Sequence, residues 1–130
     1  MLISMLTYLG LLPFIGSAVA LHLAPSAFYL LSLKVWSVII QSFICGSHWG
    51  LALSNARTKY ILASNLICCI AWLEFLSLNT KYFILMSCCN FLVLLVLDYQ
   101  MLQEGYIKLT YFKKRFIAST IVIGIMLLST

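Results

Sequence analysis

The chain has 130 residues, of which 64% are hydrophobic and 8% are charged. Soluble domains carry about 25% charged residues, so this chain lacks the polar side chains that would cover a water-exposed surface. Its net charge of +5 would suggest nucleic acid in a soluble protein, but basic loops between apolar runs are typical of membrane proteins. We therefore expect one all-α, polytopic transmembrane helix bundle over residues 1–130, with the lipid bilayer and not nucleic acid as its partner.

The first predicted span covers residues 2–23, which is long enough to cross a hydrocarbon core of about 30 Å. Pro13 predicts a kink within this span. Ala18-Val19-Ala20 has the small-x-small pattern of a signal-peptide cleavage site. Because no Lys or Arg precedes the apolar run, we favour a retained span over a cleaved leader.

The second predicted span, residues 26–54, carries a stripe of polar side chains. Lys34, Gln41 and His48 are spaced seven residues apart, so they fall on nearly one face of a helix. Ser26 is a suitable N-cap for this helix. The polar stripe predicts that the second span lies at the centre of the bundle, where its polar groups meet partners on neighbouring helices.

A second stripe on the same helix consists of small residues that recur every fourth position. Small residues let helices approach closely in a membrane, and a G-x-x-x-G pattern is common at such contacts. The partner is either another helix of this chain, a second copy or another membrane protein, and the small size of the bundle favours packing within the chain. This helix-packing motif comprises Ser42, Gly46, Gly50 and Ser54, with Trp49 beside it as a packing or interface anchor.

Three further spans are predicted over residues 60–78, 82–97 and 116–130. A very short turn separates the first two, which predicts an antiparallel hairpin. Residues 98–115 form the one extended polar segment, and we expect it to lie at the membrane interface. The last run of fifteen residues reaches only about 22 Å, so the alternative to five spans is four spans and a shallow C-terminal helix.

Loop charges predict the orientation of the chain in the membrane. Six basic residues lie on one side and two on the other, which puts the N-terminus in the cytoplasm and the C-terminus outside. The lack of a basic, Ser-rich leader favours a bacterial inner membrane over an organelle. The cluster Lys113-Lys114-Arg115 is also expected to contact anionic lipid head groups.

Depth along each span predicts three polar layers shared by the second, third and fourth spans. The three pairs lie at matching depths: Lys34 with Glu74, Gln41 with Asn90, and His48 with Asp98. One interpretation is that these layers fix helix register. The other is a proton or ion path, since ionisable residues within membranes are enriched in function.

No cofactor is expected. Cys68-Cys69 and Cys88-Cys89 reach the same depth on adjacent helices, but adjacent cysteines diverge by about 100° and no C-x-x-C spacing is present. His22 and His48 lie near opposite faces, which argues against a haem held by both. The sequence contains no phosphate loop, metalloprotease or Ser-His-Asp motif, so we do not expect an enzyme.

Two motifs resemble a family of uncharacterised small bacterial membrane proteins that also includes the mitochondrial transmembrane protein 69. They are Tyr8-x-Gly10-Leu11-x-Pro13-Phe14 and Ser42-Phe43-x-x-Gly46-x-His48-Trp49-Gly50-Leu51-Ala52-Leu53. Leu97-Asp98, Gly105 and Arg115 resemble later family positions, whereas Leu109-Thr110-Tyr111-Phe112 departs from the Pro and Trp-Tyr expected there. The resemblance implies a multi-span inner-membrane protein without an assigned activity.

These observations predict a non-enzymatic subunit, assembly factor or scaffold that packs against membrane partners. The stripe of small residues on the second span and the lack of a catalytic motif favour this prediction. The alternative is a small oligomeric translocator of protons, ions or a small solute through the polar layers. A membrane enzyme or cofactor carrier is the third hypothesis.

Overall fold

The structure, a computed structural model, describes residues 2–77 and 79–129. Within these ranges the chain is helical and forms no strand, which confirms the predicted all-α class. Leu78, the predicted end of the third span, and Thr130, the predicted end of the last one, lie outside the described residues. The helices are α1 (Leu2–Leu9), α2 (Leu12–Leu23), α3 (Ala27–Ser54), α4 (Thr58–Leu76), α5 (Thr80–Gln103) and α6 (Leu109–Leu128).

The first apolar run is broken into α1 and α2 at Gly10 and Leu11. Pro13 lies in the first turn of α2, where its missing N–H and fixed φ are tolerated, so the predicted kink occurs as a break just before the proline. The indole Nε1 of Trp36 donates a hydrogen bond to the Gly10 carbonyl at 2.9 Å. The break is thereby held against α3.

α3 is the central helix, and it contacts α2, α4 and α5. Its N-cap is Ser26, whose Oγ accepts a hydrogen bond from the Tyr29 N–H at 3.3 Å. With 28 residues it extends about 42 Å, more than a hydrocarbon core requires. Lys34, Gln41 and His48 are all buried, which confirms that the polar stripe faces the interior of the bundle.

α5 and α6 are longer than the predicted apolar runs. α5 begins at Thr80, where the Asn79 side chain caps two backbone N–H groups, and it continues to Gln103. α6 begins at Leu109, seven residues before the predicted span. The segment 98–115 is therefore mostly helical, and only residues 104–108 connect the two helices. Gly105 in this connection has φ +80°, a conformation that glycine adopts without strain.

Three helices of the described chain are long and apolar enough to cross a membrane: α3, α4 and α5. The bundle also exposes large apolar side chains over most of its surface, including Phe28, Phe43 and Leu128. Such a surface is unfavourable in water and suits lipid. The structure is that of a membrane protein; spans at α1–α2 and α6 stay predictions.

The connections 55–57 and 104–108 meet at one end of the bundle. Lys59 donates a hydrogen bond to Glu104, and the Arg57 Nε donates to the Tyr106 hydroxyl at 2.7 Å. The hydrogen bond from Lys59 lowers the pKa of Glu104 below its ordinary value. Both basic connections therefore lie on the same side of the bundle, as the charge-based topology predicts.

Candidate functional site

The middle of the bundle contains a buried polar cluster that joins α3, α4 and α5. Asn90 donates both amide hydrogens, one to Gln41 Oε1 at 3.0 Å and one to Glu74 Oε1 at 2.6 Å. The predicted hydrogen bond between Gln41 and Asn90 is confirmed. Each of the three helices contributes one long polar side chain, so the cluster fixes their relative register.

Two serines extend this cluster. Ser87 Oγ donates to Glu74 Oε2 at 2.9 Å. Gln41 Nε2 donates to Ser37 Oγ at 3.2 Å and to Ser87 Oγ at 3.3 Å. Every member is at most 5% exposed, so the hydrogen bonds are closed off from the surface of the bundle.

Glu74 is the ionisable member of the cluster, and its partners are neutral. Both carboxyl oxygens accept hydrogen bonds, from Asn90 and Ser87. Among the described residues, no Lys, Arg or His nitrogen lies within 4.0 Å of this carboxyl group. A carboxyl group in this setting is satisfied by hydrogen bonds and carries no counter-ion.

The predicted ion pair between Lys34 and Glu74 is wrong. Lys34 is 9% exposed, and its ammonium group lies 5.2 Å from the centroid of the Phe83 ring, a cation–π arrangement. Glu74 does not share the level of Lys34, because its carboxyl group is bonded to Asn90 and Ser87 in the middle of the bundle. Lys34 lies seven residues before Gln41 on α3, about 10 Å away along the helix.

A second buried cluster lies closer to the basic connections and centres on Asp98. His48 Nε2 is 2.8 Å from Asp98 Oδ1, so the predicted pair is confirmed. Arg115 Nε donates to Asp98 Oδ2 at 3.2 Å. The carboxylate thus bridges a histidine of α3 and an arginine of α6, and it ties the last helix to the central one.

Arg115 was expected at the lipid head groups, and that expectation is wrong. Its side chain is only 12% exposed and is directed to Asp98. The sequence did carry a signal: residues 98 and 115 lie almost equally far from the middle of the connection 104–108, so they reach one level on an antiparallel pair. Lys113 is exposed and Lys114 is half-buried, and their contact with head groups stays a prediction.

Two nitrogen atoms of this second cluster have no hydrogen-bond partner within the described part of the chain. They are Nδ1 of His48 and Nη2 of Arg115, both shielded from the surface. Buried polar atoms without a partner are uncommon and costly. The cluster around Asp98 therefore has unused hydrogen-bonding capacity. The cluster of Gln41, Asn90 and Glu74, called the closed cluster below, differs in that its members are hydrogen-bonded to one another.

The small-residue stripe of α3 faces outward. Ser42, Gly46, Gly50 and Ser54 are all exposed, and a Cβ atom added at either glycine would meet nothing within 4 Å. Packing of this stripe inside the chain, which the small bundle favoured, is therefore wrong. The polar stripe takes the interior side of α3, so the small residues lie on its outer side. Trp49 beside them is also exposed.

The cysteines do not converge on a metal site. Cys69 and Cys89 are exposed, whereas Cys88 is buried. No group of three or more potential metal ligands occurs in residues 2–77 and 79–129. Adjacent cysteines on a helix point in different directions, and each pair here has one outward member.

A family model described as a protein of unknown function, DUF3429, matches residues 2–130. No curated protein and no solved structure matches the chain. The family model covers all six helices, but it assigns no chemistry to either polar cluster.

Proposed function

The chain belongs to the family described as protein of unknown function DUF3429, and we propose that it is a non-enzymatic membrane subunit or scaffold that packs through α3. The observation that carries this proposal is the exposed stripe of Ser42, Gly46, Gly50 and Ser54. Backbones approach closely at such stripes, which is a main source of helix association in lipid. A second copy or another membrane protein is the partner.

The closed cluster at mid-span supports the same proposal. Gln41, Asn90 and Glu74 are hydrogen-bonded to one another and shielded from the bundle surface. A buried cluster whose members satisfy one another stabilises helix register. We further propose a bacterial inner-membrane location, with a cytoplasmic N-terminus and an outer C-terminus, on the distribution of basic residues. Relationship to the mitochondrial transmembrane protein 69 is part of the same proposal.

Substitution of Gly46 and Gly50 by leucine tests the packing surface. We expect association in mild detergent or in vesicles to weaken at least about tenfold, a loss of 1.4 kcal/mol or more, because the added side chains keep a partner helix away. The fold should persist, since a Cβ at these positions meets nothing within 4 Å. Energy transfer between labelled copies and mass spectrometry of co-purified proteins measure the association.

Gly124→Leu on α6 is the matched control. Gly124 is also an exposed helical glycine with free space around its Cβ position, but it lies outside the α3 stripe. It should leave association unchanged. A parent protein that is always a lone monomer, or equal association in all variants, would contradict the proposal.

A translocator is the second candidate, and Glu74 is the observation that favours it. Its carboxyl group has only neutral partners and lies in a hydrogen-bonded series with Ser87 and Gln41, a setting in which a proton can be gained or lost. In proteoliposomes, Glu74→Gln should abolish proton flux, whereas Glu104→Gln at the exposed end should preserve it. The absence of flux in the parent protein would end this alternative.

A further inference from the structure

Lys34 is a buried cation that no acceptor among the described residues satisfies. Its side chain is 9% exposed, and its ammonium group takes part in none of the ion pairs or hydrogen bonds between described residues. It contacts the Phe83 ring, whose centroid is 5.2 Å away, and this cation–π contact leaves the N–H groups without an acceptor. Buried charges are normally paired and hydrogen-bonded. Lys34 therefore indicates an acceptor that comes from outside the bundle.

The acidic side chains of the chain are all engaged elsewhere. The sequence contains three acidic residues. Glu74 belongs to the closed cluster, and Asp98 forms the bridge between α3 and α6. Glu104 is bonded within the basic connections at the opposite end of the bundle. The end at which Lys34 lies instead carries a second cation, the exposed Lys81, so it attracts an anion.

The ammonium group of Lys34 is open to the surface of the bundle. Among the described residues, the side-chain polar atoms that lack both a partner and accessible surface are His48 Nδ1, Tyr60 Oη and Arg115 Nη2. The unpartnered nitrogen of Lys34 is not one of them, so it retains accessible surface although its stem is buried. A ligand can therefore reach it without a rearrangement of the helices.

The ammonium group also lies near the end of the bundle. Phe83, which it contacts, is the third residue after the start of α5 at Thr80, about 5 Å along the helix. A helical side chain is directed toward the N-terminus of its helix, which for α3 is this same end. Since α3 extends about 42 Å, against a hydrocarbon core of about 30 Å, the ends of the bundle reach the lipid head groups. Lys34 is thus placed to meet a head group.

We propose that Lys34 binds the phosphate group of an anionic phospholipid in the leaflet at this end of the bundle. The phosphate oxygens accept hydrogen bonds from the ammonium group, and the charge of Lys81 adds to the attraction. A lipid is favoured over an acidic protein segment because large apolar side chains are exposed at this end and suit acyl chains; they include Leu31, Leu76 and Tyr82. The site is independent of the packing proposed for the small-residue stripe.

Lys34→Met tests this site, because methionine keeps an unbranched apolar side chain and removes the charge. Native mass spectrometry of the full chain in a neutral detergent, with equal concentrations of phosphatidylglycerol and phosphatidylcholine, measures lipid binding. We expect the parent to bind one phosphatidylglycerol saturably and in preference to phosphatidylcholine. Lys34→Met should weaken this binding at least about fivefold, the effect of one basic residue on attraction to anionic lipid. Lys34→Arg keeps the charge and should bind like the parent.

Lys81→Met is the matched control, since it removes an exposed charge from the same end. Exposed charges are screened, so it should weaken binding less than about twofold. Equal phosphatidylglycerol binding by the parent and Lys34→Met, or equal weakening by both methionine variants, would overturn the proposal. Displacement of the lipid by inorganic phosphate, or an acidic protein bound in its place, would also overturn it. A parent chain without preference for phosphatidylglycerol would do so whether or not the variants fold.

Discussion

Asp98→Asn is expected to lower the free energy of unfolding by about 3–5 kcal/mol, the loss that follows when one partner of a buried ion pair is removed. Asparagine keeps the size of the side chain but not its charge. The Arg115 guanidinium, 12% exposed, would then be buried without a counter-ion. Unfolding in mixed micelles of a mild detergent and dodecyl sulfate, followed by circular dichroism, measures the loss.

Two further variants separate the charge effect from general damage. Glu104→Gln removes a carboxylate that is exposed at the end of the bundle, and it should change the unfolding free energy far less because exposed pairs are screened. Arg115→Gln in the Asp98→Asn background removes the unbalanced charge and should restore part of the lost stability. A double variant that is less stable than Asp98→Asn would show that the bridge is not the source of the effect.

Asn90→Leu should lower the unfolding free energy by about 1–3 kcal/mol, the cost of leaving buried polar groups without partners. The average hydrogen bond between membrane helices contributes only about 0.6 kcal/mol. A larger effect is expected here because Asn90 donates to Gln41 and to Glu74 at once. The same unfolding measurement applies.

Cys89→Leu is the matched control for Asn90→Leu. It introduces the same side chain at the neighbouring position of α5, where the cysteine is exposed, and it should leave stability nearly unchanged. If the two variants lose equal stability, the loss arises from leucine on this helix and not from the broken hydrogen bonds.

The two confirmed pairs show what depth along a helix can predict. Gln41 with Asn90 and His48 with Asp98 were found because the predicted span ends place their Cα atoms at similar heights. Lys34 and Glu74 are predicted at one height too, but the Glu74 carboxyl is bonded to Asn90 at the height of Gln41. Equal distances from the helix centres give equal heights only for helices of similar length, and α3 is longer than α4. The sequence alone therefore predicts only some of the levels and contacts.

Arg115 was missed for a different reason. A run with several Lys and Arg residues favours an interfacial segment, and the apolar runs alone are shorter than α5 and α6. Arg115 is helical and points inward because Asp98 lies opposite it on an antiparallel neighbour. Asp98 and Arg115 lie almost equally far before and after the turn at Gly105. Matching charged residues by this distance would have predicted the contact.

The outward direction of the small-residue stripe follows from the position of the polar stripe on the same helix. Gln41 and His48 occupy the interior side of α3, so a stripe on another side is free to face lipid or a partner. The contacts of α1 and α2 with α6 could not be predicted, because they depend on how the break at Gly10 orients these two helices. These contacts involve residues far apart in the chain.

The position of α6 has a consequence for biosynthesis. This helix packs against both α1 and α2, and it supplies the arginine that completes the bridge at Asp98. Synthesis proceeds from the N-terminus, so α6 follows α1 to α5 into the membrane. Closure of the bundle therefore waits for its insertion.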